Sequence, residues 1–137
     1  MSDEKVDTPY DRRSLLQCQT NPNSSLDYVT KIAGVIYNSD NDHPYAIVLH
    51  YVPDRLVLTP ESLSVYFKEL GTGQLDSLEN LVTTILDDLQ NELVPRWVRV
   101  QATLTLAINE PVEQQSTTAE DGQPGWQNDA VLLRLTT

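Results

Sequence analysis

The sequence has little of several residue types, and each shortage excludes a class of protein. Its one cysteine, Cys18, excludes an intramolecular disulfide framework and any cysteine cluster with zinc-ligand spacing. Nine lysine and arginine residues stand against 20 acidic ones, and the net charge of -11 repels phosphate backbones and anionic lipid head groups. No apolar run approaches the roughly 20 residues that cross a bilayer, and the polar opening has no signal-peptide core. We therefore expect a cytoplasmic protein that binds neither nucleic acid nor membranes.

The remaining composition fits one folded domain preceded by an arm. The 137 residues, 39% of them hydrophobic, suffice for a single core. Residues 1–25 are polar and lack apolar periodicity, which predicts a mobile N-terminal arm, and residues 26–137 are predicted to form the domain. Leu15 and Leu16 are the exception within the arm, and we expect them to dock it onto the body or onto a partner subunit.

The first half of the domain predicts a β-hairpin followed by two helices. Residues 27–37 and Tyr45–Val52 are rich in β-branched and aromatic residues, and turn-forming residues separate them. Thr59 is predicted to cap the first helix, and Gly71 to end it in a left-handed conformation. Asp76 or the serine after it is predicted to cap a second amphipathic helix, which a proline ends.

The second half predicts another hairpin with a long connection. Residues 96–108 alternate between apolar and polar, which is typical of a half-buried strand. Residues 109–129 are predicted to be a long acidic loop, and the apolar run 130–135 the last strand. The order ββααββ predicts an α+β fold, with a four-stranded antiparallel sheet and both helices on one face. Two open sheet edges invite pairing with other chains, so we expect a homo-oligomer.

Five stretches, in this order and spacing, resemble the tunnelling-fold superfamily and, within it, the 7-cyano-7-deazaguanine reductases of queuosine biosynthesis. The resemblance covers about residues 27–108 and implies the ββααββ tunnelling fold. The stretches that carry it are DYVTKI (27–32), YVPD (51–54), ESLSVYF (61–67), LENLVTTILDDL (78–89) and VPRWVRVQATLT (94–105).

The same resemblance implies that the chemistry of those reductases is missing here. They reduce a nitrile with NADPH, using a nucleophilic cysteine and a proton-donating aspartate, and the matching positions here are Ile36 and His43. An isoleucine has no lone pair with which to attack a nitrile. The lysines that grip the cofactor phosphates match Leu63 and Tyr66. Cys18 replaces the missing nucleophile only if a long insertion precedes YVPD, and a free thiol of ordinary pKa is the alternative.

Further positions of the resemblance bear on ligand binding. The substrate-binding His-Glu pair matches Leu75 and Asp76, so a carboxylate is kept, whereas an Arg-Gly-Gly motif matches residues 107–109, Ala-Ile-Asn. Asp76 is therefore a candidate to bind a purine-like or pterin-like molecule through a pair of N–H groups, and helix capping is the alternative. Glu61 and Ser62, in the first turn of the first helix, are the other ligand candidates.

The sequence contains two tryptophans. Trp97 and Trp126 are candidates for partner contact, because buried tryptophans dominate interface energetics, with core packing as the alternative for Trp97.

The favoured function is a non-catalytic, reductase-like binding or scaffold protein that needs no cofactor. The alternatives are a divergent enzyme acting on a nitrile with NADPH, or on a related heterocycle, and an accessory subunit of a larger protein complex.

Overall fold

A computed structural model of the chain describes residues 12–38, 43–106 and 109–136. Residues 1–11 of the predicted arm, most of the first hairpin turn (39–42) and the Ala-Ile pair at 107–108 lie outside these residues. Within them, the predicted α+β architecture is confirmed. A four-stranded antiparallel sheet has the order β2-β3-β5-β6, and both long helices pack on one of its faces.

The described chain contains six strands and three helices with the bounds given below, and residues 12 and 13 are helical as well. The main sheet contains β2 (Thr30–Ile36), β3 (Tyr45–Val52), β5 (Trp97–Thr105) and β6 (Gln114–Gly122), and a second sheet contains β1 (Cys18–Thr20) and β4 (Leu56–Leu58). The helices are α1 (Pro60–Thr72), α2 (Leu78–Leu93) and α3 (Asp129–Leu133), and a 3-10 turn (Arg134–Thr136) follows α3. None of these helices combines the length and the apolarity that a membrane crossing needs.

Strand β3 lies inside the sheet, between β2 and β5, and its side chains alternate between the two faces of the sheet. Tyr45, Ile47, Leu49 and Tyr51 point toward the helices and are buried. They pack in one hydrophobic cluster with the apolar stripes of α1 and α2, to which Tyr66, Ile85 and Leu89 belong. The helix-facing and outward-facing sets of β3 are therefore those that the sequence alternation predicts.

Both long helices begin at a predicted capping residue, and for the second helix the structure distinguishes between the two predicted caps. The Thr59 side chain accepts a hydrogen bond from the Ser62 N–H at the start of α1. At the start of α2 the cap is Ser77, whose side chain accepts from the Asn80 N–H, and not Asp76. The carboxylate of Asp76 is therefore not used to cap the helix.

The prediction that Gly71 ends the first helix in a left-handed conformation is wrong. The helix runs on to Thr72, and its C-cap residue, Gly73, has φ -91°. A glycine is needed at position 71 for a different reason, because an added Cβ would lie 2.1 Å from the carbonyl oxygen of Tyr37. Gly71 lets the end of β2 approach α1 closely.

The C-terminal third departs most from the sequence prediction. The predicted acidic loop contains β6, which pairs with the whole of β5 from Trp97 opposite Gly122 to Thr105 opposite Gln114. The predicted last strand at 130–135 is instead α3 and the 3-10 turn. Asn128 caps α3, and Val131 packs against Trp97 in a second small cluster. A short apolar run is compatible with either helix or strand, and here the capping residue decides.

The N-terminal residues from 12 onward also differ from a mobile arm. β1 pairs with β4, with Cys18 opposite Leu58, and Leu16 is only 6% exposed within the main core. Arg12 and Arg13 form ion pairs with α2. A polar composition alone cannot offset the entropy that this segment loses on ordering. Burial of one leucine, strand pairing and the ion pairs together do so.

We predict that Gly71→Ala destabilises the protein by about 2 kcal/mol or more, because the new methyl group collides with a backbone oxygen that cannot rotate away. Urea unfolding followed by circular dichroism measures the change. Gly73→Ala is the matched control, since the nearest atom to its Cβ is 3.8 Å away and its φ is ordinary. Equal losses in the two variants would contradict the close-approach explanation.

Candidate functional site

A polar cavity of about 320 Å³ lies where the end of α1 meets the start of α2. Asp76, which the sequence predicts to bind a ligand, lines it together with side chains of both helices and of the N-terminal segment. Its other polar lining residues are Arg12, Glu69, Thr72, Gln74, Asn80 and Thr84. The cavity therefore offers charges of both signs to a small polar molecule.

The loop that carries Asp76 is anchored to the sheet by a buried amide. Asn38, at the end of β2, donates hydrogen bonds to the carbonyl oxygens of Gly71 and Gly73, at 3.1 and 2.9 Å. Asp76 itself is exposed and makes no hydrogen bond to any residue that the structure describes. Its two oxygens are consequently available to accept a pair of N–H donors from a planar ligand.

A buried ion pair lies beside this cavity. The fully buried carboxylate of Asp88, on α2, accepts two hydrogen bonds from Arg12, at 2.6 Å from Nε and 3.0 Å from Nη2. The Tyr66 hydroxyl, on α1, donates to the same carboxylate at 2.5 Å. Burial and the nearby Asp88 raise the pKa of Tyr66 far above its ordinary value, so Tyr66 stays a donor. This network joins the N-terminal segment to both helices and places Arg12 at the cavity.

The other two ligand candidates lie at the opposite end of α1. Glu61 and Ser62 are in its first turn, roughly 15 Å along the helix axis from the cavity. The Ser62 hydroxyl accepts from the Gln17 N–H at 3.0 Å and lies 3.0 Å from the carbonyl oxygen of Thr59. Ser62 is therefore engaged in holding the N-terminal segment, and within one chain the structure does not bring Glu61 and Ser62 together with Asp76.

The four candidates for partner contact have different surroundings. Leu16 and Trp97 are buried inside the chain, at 6% and 4% exposure, and belong to its two hydrophobic clusters. Leu15 is half-buried against the main core. Trp126 is also half-buried, and its indole N–H donates to Asp27 at 3.2 Å. Only Leu15 and Trp126 retain surface that another chain could contact.

The positions that match the chemistry of the resembled reductases are occupied by core residues. Ile36, at the cysteine position, is fully enclosed in the main cluster. Leu63 and Tyr66, at the cofactor-lysine positions, are buried in the same cluster, at 2% and 0% exposure. Each of these three side chains thus contributes to packing where the resemblance would require a reacting or phosphate-binding group.

Cys18 lies in β1 and is half-buried, so it is not a thiol on a mobile arm. Its sulfur lies 3.8 Å from the carbonyl oxygen of Glu92. Burial raises the pKa of the thiol, and the negative charge of Glu92 raises it further, so the prediction of an ordinary pKa is wrong. Since the thiolate is the nucleophile, this environment opposes covalent catalysis by Cys18. The described residues also include no group of three or more side chains that could hold a metal ion.

Sequence reasoning missed the residues that build the cavity around Asp76. Asn38 stood in a predicted turn, and Arg12 in a predicted arm, so nothing in the sequence connected either with the helices. Asp88 did carry a signal, because a carboxylate between Ile85 and Leu89 falls on the apolar stripe of α2. A charge at such a position predicts a buried partner, although it does not say which residue provides it.

The architecture is that of the tunnelling fold. The structure aligns with the crystal structure of the archaeosine synthase QueF-Like in its apo form with a TM-score of 0.55, covering 75% of this chain and 98% of that one. The sequence identity is 18%, so this likeness concerns the fold.

Sequence similarity adds a closer relation. The chain is 36% identical over 59 residues to the NADPH-dependent 7-cyano-7-deazaguanine reductase of Nitratidesulfovibrio vulgaris, covering 43% of this chain and 35% of that protein. It is 41% identical over 54 residues to the reductase of the same name from Chlorobium phaeovibrioides, covering 39% and 46%. The chain thus spans less than half the length of the curated relatives it matches, and no protein-family model matches it. It is a tunnelling-fold protein related to these reductases.

We predict that Arg12→Met lowers the free energy of unfolding by about 3 kcal/mol, because it leaves the enclosed Asp88 carboxylate without its counter-charge. Arg13→Met is the control, since Arg13 and Glu92 are both partly exposed and 3.3 Å apart, and its cost should stay below about 1 kcal/mol. Urea unfolding of the two variants measures the difference. A loss no larger for Arg12 than for Arg13 would show that the buried pair does not anchor the N-terminal segment.

We predict that Cys18 of the folded protein reacts with iodoacetamide only at a more alkaline pH than an unstructured thiol, because its raised pKa keeps it protonated. The rate of alkylation against pH, followed by mass spectrometry, gives the midpoint. The same chain unfolded in urea provides the reference. A midpoint in the folded protein at or below the reference would mean that Cys18 is activated.

Proposed function

We propose that this chain is an oligomeric binding protein of the tunnelling fold, related to the 7-cyano-7-deazaguanine reductases, that does not itself reduce a nitrile. The observation that supports this most is the enclosure of Ile36, which has 0% exposure at the position where the resemblance calls for a nucleophilic cysteine. The remaining thiol, Cys18, has a raised pKa and is half-buried in β1. Neither Ile36 nor Cys18 therefore offers an activated nucleophile on which a nitrile could form a covalent adduct.

The proposal includes no cofactor. Leu63 and Tyr66 stand at the positions of the resembled cofactor lysines, and neither can pair with a phosphate. The alternative, an enzyme that uses NADPH, would have to bind the dinucleotide through other cations.

A purine-like or pterin-like heterocycle is the ligand that the cavity around Asp76 suits best. Such rings carry adjacent N–H donors, and a carboxylate accepts two of them in parallel, which fixes the ring plane as well as adding affinity. Asp76 has both oxygens available, and the anchoring of its loop by Asn38 reduces the ordering cost of binding. Arg12, held by Asp88, adds a positive charge for a carbonyl oxygen of the ligand.

The edges of the main sheet support assembly into an oligomer. β2 and β6 are the outer strands, and among the described residues no further strand pairs with either. β2 carries Val35, 40% exposed, and an apolar groove of about 390 Å³ lies between this strand and α1, beside Phe67. We propose that β2 of one copy pairs with β6 of the next, which removes both open edges and continues the sheet from copy to copy.

A second candidate is an accessory subunit that binds a basic protein. The observation that favours it is β6, whose residues are all exposed or half-exposed and include Glu120 and Asp121, in a chain of net charge -11. An acidic edge strand of this kind attracts a positively charged partner over long range.

The decisive test is binding and turnover of 7-cyano-7-deazaguanine, the heterocycle in the names of the curated relatives. We expect titration calorimetry to detect binding, and we expect no loss of NADPH absorbance when the purified protein receives both compounds. Asp76→Asn should weaken binding by about tenfold, since it replaces a charge-assisted pair of hydrogen bonds. Asp87→Asn, on the exposed side of α2, is the matched control and should leave binding unchanged.

Each part of the proposal can fail separately. Nitrile-dependent oxidation of NADPH would establish the enzyme alternative. Equal binding by the Asp76 and Asp87 variants would remove Asp76 from the site. A single-chain mass by light scattering at micromolar concentration would refute the oligomer, and recovery of a complex with a basic protein in native mass spectrometry would favour the accessory-subunit function.

A further inference from the structure

A second cavity, on the sheet face that α1 and α2 leave uncovered, has the opposite electrostatic character to the rest of the molecule. It encloses about 440 Å³ between β2, β3 and the C-terminal segment that follows β6. It is lined by the basic side chains of Lys31, His50 and Arg134 and by the aromatic or apolar side chains of Tyr28, Val29 and Val131. The chain has only nine lysine and arginine residues and a net charge of -11. Its composition therefore does not explain a cluster of basic side chains.

The strand register explains how these groups come together. Lys31 on β2 lies directly opposite His50 on β3, and His50 lies opposite Arg99 on β5. All three belong to the outward-facing set, because the alternate residues of β3 face the helices. A row of three basic residues therefore crosses three neighbouring strands. Like charges in directly opposite positions destabilise a sheet.

The neighbours of the row neutralise only one end of it. Arg99 pairs with Glu120, opposite it on β6, at 2.9 Å, and stacks over the Trp97 ring at 5.2 Å. Lys31 forms no ion pair with any residue that the structure describes. The positive charge that faces the cavity is consequently at the Lys31 end.

His50, the middle residue of the row, also lacks a partner among the described residues. Its side chain makes no hydrogen bond to a described residue, and its Nδ1 is enclosed without a partner. Because Nδ1 is enclosed, a group in the cavity can contact only the partly exposed remainder of the ring. Burial and the charges of Arg99 and Lys31 lower the pKa of His50, so the imidazole is neutral where an anion would favour its protonated form.

We propose that this cavity binds the phosphate group of a small phosphorylated molecule, with Lys31 and His50 as its ligands. A dianion matches the permanent charge of Lys31 and an imidazole that can gain a second charge. Tyr28, Val29 and Val131 provide apolar contact for the organic part, and the volume is in the range of small-molecule sites. This site lies on the other face of the sheet from Asp76 and does not depend on the function proposed above.

The test uses inorganic phosphate and sulfate as probes, with the two histidines of the chain as NMR reporters. We expect phosphate to shift the His50 imidazole signals saturably and to leave those of His43 unchanged. Sulfate, which stays doubly charged across the titration range, should raise the pKa of His50, because it removes the repulsion from Lys31 and Arg99. The other charged or titratable groups near the ring are Tyr28 and Arg134, which line the cavity, and Glu120, which pairs with Arg99.

Two lysine variants of equal charge change make the test specific. Lys31→Met should weaken phosphate binding by about fivefold or more, whereas Lys68→Met, which removes a charge from the groove beside α1, should leave it unchanged. Acetate at equal ionic strength should give no saturable shift. Equal weakening in the two variants, or a His50 response to chloride as large as that to sulfate, would overturn the proposal, because either result would mean general screening.

Discussion

One-sided burial of the four-stranded sheet is the constraint on which the rest of the structure depends. The helix-facing residues of β3, such as Ile47 and Leu49, are fully enclosed, and a shift of one residue in the pairing would turn His50 into the core instead. The register is therefore fixed by the hydrophobic face. The outward face inherits that register, and the opposition of Lys31, His50 and Arg99 follows from packing on the other side of the sheet.

Asp88 is the charged residue that lies fully buried in this apolar core, and its surroundings explain why the N-terminal segment is folded. A fully enclosed carboxylate is stable only when charge and hydrogen bonds compensate it, and here Arg12 and Tyr66 supply them. Arg12 also lines the cavity around Asp76. The stability of the core and the shape of that cavity are thus linked through a residue far away in sequence.

Sequence reasoning succeeded where hydrophobic periodicity was strong and failed where pairing partners supplied the order. Both long helices, β3 and β5 follow apolar patterns that have one interpretation, and the fold class follows from them. β6 has no continuous apolar face, since Ala119 is the one residue of QQSTTAEDG that packs against the hydrophobic core. It is a strand because β5 offers it a complete row of hydrogen-bonding groups. The segment after it is positioned by Asp27, which accepts hydrogen bonds from Trp126 and Asn128 across a hundred residues of sequence.

The candidate sites also differ in whether the sequence alone could reveal them. Asp76 became a candidate because a resemblance assigned it a carboxylate role, and the structure places it in the lining of a cavity. The basic row could not be identified, because its members come from three strands and only the register makes them neighbours. Local sequence identifies a site whose residues share one loop, whereas a site that spans strands requires the pairing to be known.

The residues at the reductase positions suggest how binding and catalysis could separate in this fold. Ile36 packs in the core, and Gly71 and Asn38 still bring the end of β2 against the loop that carries Asp76. On the function proposed above, an aliphatic side chain at the position that the resemblance assigns to a nucleophile removes reactivity and adds buried apolar surface. Neither effect alters the Asp76 carboxylate, which would orient a ligand. On that proposal, ligand binding and catalysis depend on different side chains of one rigid frame, so binding can remain without catalysis.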